Sequence, residues 1–157
     1  MRIETRYPRD RRHRHGDRHG GGVSIDYRLS VPRGTEVEAQ SVSGDVTVIG
    51  VEGETNAHSV SGDVSIRDAK QLEEAKSVSG DVEVRGSRSE EETEIASVSG
   101  EVTASDIQAE ELTISTVSGD VRIENASCER GSLESVSGDL VYSGRIVSGG
   151  RYEFESH

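Results

Sequence analysis

Six acidic residues recur at nearly constant spacing: Asp45, Asp63, Asp81, Glu101, Asp120 and Asp139. Hard cations such as Ca²⁺ take oxygen ligands, so a column of carboxylates could hold them. One acid per repeat is sparse for a full ligand shell. Calcium-binding β-rolls carry a denser Gly-Gly-x-Gly-x-Asp nonapeptide. The plainer reading places each carboxylate at a turn, accepting backbone N–H bonds and otherwise solvated. Like charges stacked this closely repel one another. The plain reading is the expectation.

Two columns of hydroxyls accompany the acids. Ser43, Ser61, Ser79, Ser99, Ser118 and Ser137 should point outward, with Ser148 as a seventh member. Ser41, Ser59, Ser77, Ser97, Thr116 and Ser135 form the second. Small polar residues pair well across strands, which needs no further role. A flat hydroxyl face could also bind glycan. Ice is a weaker reading, because ice-binding solenoids favour Thr and only Thr116 supplies one.

Other chemistry-bearing residues are scattered. His13, His15 and His19 could ligate a transition metal. Arg11, Arg12 and Arg14 lie among them and repel a cation, and the stretch reads as a basic, Gly-rich loop of low complexity. Asn125-Ala126-Ser127 is a lone glycosylation triplet. Cys128 has no partner for an internal disulfide and reads as a small buried hydrophobe. The chain holds no GxSxG elbow, no HExxH and no phosphate-binding GxxxxGK[ST] loop. Its carboxylates are spread along repeats instead of gathered in one pocket. An enzyme is therefore not expected.

The elements that position these columns follow from the repeat. Ser41–Val46 returns as Ser59–Val64, Ser77–Val82, Ser97–Val102, Thr116–Val121 and Ser135–Leu140, at intervals of 18, 18, 20, 19 and 19 residues. A shortened echo, Val147-Ser148-Gly149, follows. Self-similarity at this period marks a solenoid. Apolar residues alternate as Val42, Val46 and Val48, then Val60, Val64 and Ile66, then Val78, Val82 and Val84, which is strand periodicity. In that register the valines and Gly44 face inward, while Ser43 and Asp45 face out. Glycine there marks a corner or a close backbone approach. A second apolar set, Ile95, Leu112, Ile114 and Leu133, precedes the later corners.

The expected fold is an all-β, right-handed β-solenoid of about six short coils with repeats of 18–20 residues. Residues 1–22 are expected to form a strand fragment, Ile3–Tyr7, and the basic His/Gly-rich loop. Residues 23–157 form the repeat domain, with Val23–Val31 as an entry strand and a C-terminal coil or hairpin cap from about residue 140. Both ends stop mid-pattern, as in a piece of a longer protein.

The chain has 157 residues, 31% of them hydrophobic and 3% aromatic, with a net charge of −12. Such values approach those of disordered chains, but regular valine spacing and only two prolines argue for a folded stack. Strong acidity disfavours nucleic acid and anionic membranes. No apolar run is long enough to span a bilayer, and the N-terminus lacks the apolar region of a signal peptide.

The VSGDV units, the lead-in Tyr27-Arg28-Leu29-Ser30-Val31-Pro32-Arg33-Gly34-Thr35 and the ending Ile146–Phe154 together resemble a bacterial adhesin family, a domain of unknown function with β-strand repeats. The resemblance runs from about Val23 to the end. It implies a β-solenoid of the cell envelope, periplasmic or extracellular, with no catalytic residues. The expectation is thus a non-enzymatic binding module that touches an envelope polysaccharide or a surface protein. The alternative is a self-assembling scaffold, similar in general design to bactofilins.

Overall fold

The computed structural model describes residues 31–156. The sequence-based expectations for Ile3–Tyr7, the His13–His19 loop and Val23–Ser30 lie outside the described residues. Eleven strands follow one another with no helix: β1 (Val37–Ser41), β2 (Val46–Ile49), β3 (Glu54–Ser59), β4 (Val64–Arg67), β5 (Gln71–Ser77), β6 (Val82–Arg85), β7 (Glu92–Ser99), β8 (Val102–Ser105), β9 (Gln108–Ser118), β10 (Val121–Ser137) and β11 (Leu140–Ser156). Every pairing is parallel. Odd strands stack as β1-β3-β5-β7-β9 and even strands as β2-β4-β6-β8, and both stacks join on β10, whose two halves serve one stack each. The result is a β-solenoid of about six coils with two faces.

Register places like residues on like. The core columns of the even face are Val46, Val64, Val82, Val102, Val121 and Leu140, and beside them Val48, Ile66, Val84, Ala104, Ile123 and Tyr142. On the odd face Ala57, Ala75, Ile95, Ile114, Leu133 and Phe154 form another. From Val64 to Leu133 these side chains are essentially buried. Cys128 lies in this core, where burial pushes its thiol above its ordinary value despite a hydrogen bond with Tyr152.

Two corners turn each coil. At one, Gly62, Gly80, Gly100, Gly119 and Gly138 each sit directly on the glycine of the preceding coil. A Cβ on Gly62 would lie 2.4 Å from the Gly44 carbonyl oxygen, and one on Gly138 would lie 2.1 Å from that of Gly119. Only glycine allows that approach. At the other corner the chain takes left-handed φ near 55–66° at Gly50, Asp68, Gly86, Asp106 and Asn125. Those are the residue types that tolerate it at least cost.

The C-terminal segment takes the first of its two expected forms: β11 is a further parallel coil on β10. Val147-Ser148-Gly149 forms no corner of its own. It lies within a register jump, where Ile146 pairs with Cys128 but Arg151 pairs with Arg130. Tyr152 stabilises this bulge. Its ring lies over Gly131, its hydroxyl donates to the Cys128 carbonyl at 2.5 Å, and it accepts from the Val147 amide at 3.0 Å.

The glycine column yields a paired prediction. Gly80→Ala, whose Cβ would meet the Gly62 carbonyl at 2.3 Å, should cost about 1–3 kcal/mol in urea unfolding. Gly44→Ala meets only the Ser41 hydroxyl, at 3.3 Å. It should change stability by less than about 0.5 kcal/mol. Equal losses from both would contradict the stacking account.

Candidate functional site

The Ser-Gly-Asp corner fixes each recurrent polar residue in turn. In the column Ser59, Ser77, Ser97, Thr116 and Ser135 each side chain is buried. Each hydroxyl donates to the glycine carbonyl of the preceding coil, as in Ser59 to Gly44 at 3.1 Å and Ser77 to Gly62 at 2.9 Å. The hydroxyls of this second column are therefore engaged within the stack. A hydroxyl is needed because the carbonyl it satisfies turns into the core, where an unpaired polar group is costly.

The carboxylates are also engaged. Asp45 accepts the backbone amide of Asp63 at 3.0 Å, Asp63 that of Asp81 at 2.9 Å, Asp81 that of Glu101 at 2.8 Å, and Asp120 that of Asp139 at 2.9 Å. Each acid thus ties its coil to the next. Glu101, one methylene longer, accepts instead from Arg122 at 2.5 Å and from Thr103 at 3.4 Å. Among the described residues no group of three or more His, Cys, Asp or Glu is placed to hold a metal ion. A polar depression of about 500 Å³ runs along this face, lined by Asp45, Asp63, Asp81, Glu83 and Glu101 among others. Its acids have partners. The Glu83 carboxylate, despite some burial, is held below its ordinary value by hydrogen bonds from Arg85 and Arg67.

Ser43, Ser61, Ser79, Ser99, Ser118 and Ser137 are exposed and lie along one edge, as expected. Ser148 is exposed but belongs to the bulge, so it does not extend the column.

The main correction concerns the valines before the corner. Val42, Val60, Val78, Val98, Val117 and Val136 are not in the core; they are 44–72% exposed. The reason is parity. Ser59 and Val64 both face inward yet are five positions apart, so strict alternation cannot run through the corner. Backbone bonding does continue through it, with Val60 N–H to the Ser41 carbonyl at 3.1 Å and Ser61 N–H to that of Val42 at 3.1 Å. The valines therefore stack on one another as an outward column.

That column forms one wall of an open groove of about 860 Å³, mostly apolar, running across the coils. The opposite wall is Gln40, His58, Lys76, Ala96, Ser115 and Glu134, and the residues of the inward hydroxyl column form the base. Ion pairs hold part of this wall: His58 with Glu74 at 2.9 Å, and Lys76 with both Glu74 and Glu94. Burial disfavours the Lys76 charge, but those two carboxylates outweigh it and raise the ammonium above its ordinary value.

No family model, curated protein or solved structure matches the chain. The likeness to the adhesin family therefore rests on the quoted motifs alone.

The carboxylate ladder can be tested directly. Asp81→Ala should cost about 1 kcal/mol, the worth of a net hydrogen bond. Asp81→Asn keeps the acceptor oxygen and should lose less than half of that. Millimolar Ca²⁺ should leave the thermal midpoint of the parent chain unchanged. A rise of several degrees would instead assign the column to cation binding.

Proposed function

We propose that this chain is a non-enzymatic binding module of the bacterial cell envelope, which meets an envelope polysaccharide or a surface protein along its valine and serine edge. The observation that carries the reading is the apolar groove itself. Elsewhere the outward columns are polar on successive coils, as at Thr47, Ser65, Glu83 and Thr103 on one face and Asn56, Glu74, Glu94 and Thr113 on the other, with Ile49 and Val141 as isolated apolar members. An apolar strip confined to one edge and crossing successive coils suits a long, extended partner that lies along the rod. The excess of acids selects against polyanions, which leaves neutral glycan or polypeptide. The groove pairs its valines with the adjacent Ser43-to-Ser137 hydroxyls, so a partner can bury apolar surface and still find hydrogen bonds.

The envelope location and the absence of catalysis come from the family resemblance. The winding is right-handed in this reading, because parallel crossovers are right-handed in about 98% of cases.

The test is co-sedimentation with isolated bacterial envelope, beside a tube without it. The parent chain should pellet only with envelope. Val78→Asp combined with Val98→Asp should weaken that binding at least tenfold, while Arg67→Ala on the even face should not. Both valines are about half exposed, so the variant should keep its circular-dichroism spectrum and unfolding midpoint. Pelleting that ignores the valine changes, or no pelleting at all, would overturn the proposal.

A further inference from the structure

The Asn125-Ala126-Ser127 triplet takes no part in the valine groove. It occupies the left-handed corner of its coil. Asn125 turns that corner, with φ at 55°, and is exposed. Ala126 points into the core and is 1% exposed. Ser127 returns to the surface and is partly exposed. The amide and the hydroxyl of the triplet thus reach the surface on either side of a buried anchor.

Neither surface residue is what its column otherwise holds. The corner column reads Gly50, Asp68, Gly86, Asp106 and Asn125. The column two positions later reads Glu52, Lys70, Arg88, Gln108 and Ser127. It is held in line because the amides of Lys70, Arg88, Gln108 and Ser127 each donate to a carbonyl of the preceding coil. Arg145 follows in register with Ser127. Glycine and aspartate serve a left-handed corner as well as asparagine does. The second column otherwise holds long polar side chains. The stack therefore requires neither Asn125 nor Ser127. Both departures fall in one coil and, with a residue other than proline between them, create the acceptor pattern Asn-x-Ser.

The amide also has a hydrogen to give up. The chain's other asparagine, Asn56, is partly buried, and its Nδ2 donates to Glu54 at 3.2 Å and to Glu73 at 3.3 Å. Asn125 Nδ2 donates to Asp106 Oδ1 at 3.2 Å. An amide nitrogen carries two hydrogens, so that bond uses one and leaves the other.

We propose that Asn125 is a glycosylation site. Its Nδ2 forms a bond to the anomeric carbon of a sugar carried on a lipid diphosphate. The bond from that carbon to the diphosphate oxygen breaks, and its electron pair leaves with the diphosphate. One Nδ2 proton passes to solvent, and the remaining N–H can keep the bond to Asp106. Acceptors of this pattern belong to exported chains, so the inference rests on the envelope location proposed above. The glycan projects from a corner that contributes no residue to the valine groove.

Mass spectrometry tests it on the full chain, recovered separately from the envelope and soluble fractions of its own cells. Trypsin should release residues 123–130 as one peptide, with Asn125 its single asparagine. That peptide should carry a glycan, and an amidase specific for asparagine-linked glycans should remove it and leave aspartate at 125. Ser127→Ala should lower occupancy at least tenfold, while Ser127→Thr should retain it. Asn125→Gly should abolish it with an unchanged circular-dichroism spectrum, because Gly50 and Gly86 hold the same backbone. A bare peptide from envelope-bound chain would sink this inference and leave the envelope reading standing. Bare chain found only in the soluble fraction would sink both. A glycan that resists the amidase and survives Asn125→Gly would rule out Asn125 as the acceptor.

Discussion

The glycine-on-glycine contact at the Ser-Gly-Asp corner is the constraint on which the rest of this structure depends. There the backbone of one coil rests on the carbonyl of the coil before it, with no space for a Cβ. That carbonyl points inward and needs a donor, and the serine three positions earlier in the next coil supplies one. The residue after glycine then stands over the equivalent amide of the following coil, and a short carboxylate reaches it. Ser, Gly and Asp are thus three answers to one geometric problem. The motif is structural before it is anything else, which explains why it recurs with so little change.

The ladder of acids shows how an unfavourable arrangement is made tolerable. Equivalent residues of neighbouring coils stand about 4.8 Å apart, so stacked carboxylates repel. Asp45, Asp63, Asp81 and Asp120 each accept an N–H bond across the coil boundary, and all the acids but Glu101 are well solvated, so repulsion is screened while the bonds remain. Glu101 breaks the pattern because its longer side chain turns to Arg122. The opposite corner is under looser control. It needs only left-handed backbone, so Gly, Asp and Asn alternate there, and Asn125 even bonds Asp106 through its side-chain amide.

Much of this was legible in the residues. The repeat interval gave the solenoid, and the pairs Val46/Val48, Val64/Ile66 and Val82/Val84 gave the even face of the core. The set Ile95, Leu112, Ile114 and Leu133 gave the odd face. The exposed serine column and the turn role of the acids were also readable. What alternation hid was the corner, where four residues separate two inward positions. Val42, Val60 and Val78 then look like core when counted in twos, and Ser59 and Ser77 look like surface. The left-handed column was missed for a different reason. Its signal was present as Gly, Asp, Gly, Asp and Asn, each four positions after the first core valine of its coil, but mixed residue types disguise a common backbone requirement. The bulge in the last coil could not be read at all, because the register jump between Cys128 and Arg130 leaves no mark in the residue pattern.

The valine column is the one part of the repeat that the corner does not require. Its backbone bonds form whatever the side chain, and its Cβ points away from the core. Stacked β-branched side chains do contribute about 0.2–1 kcal/mol per pair, and that gain would be available on any outward column. Yet the outward columns that begin at Thr47 and Asn56 hold polar residues on every coil, save Val141 in the last. If stacking alone selected valine, those columns should show it too. Restriction of the apolar strip to the single edge that carries a groove points to what lies outside the rod, not to what holds it together.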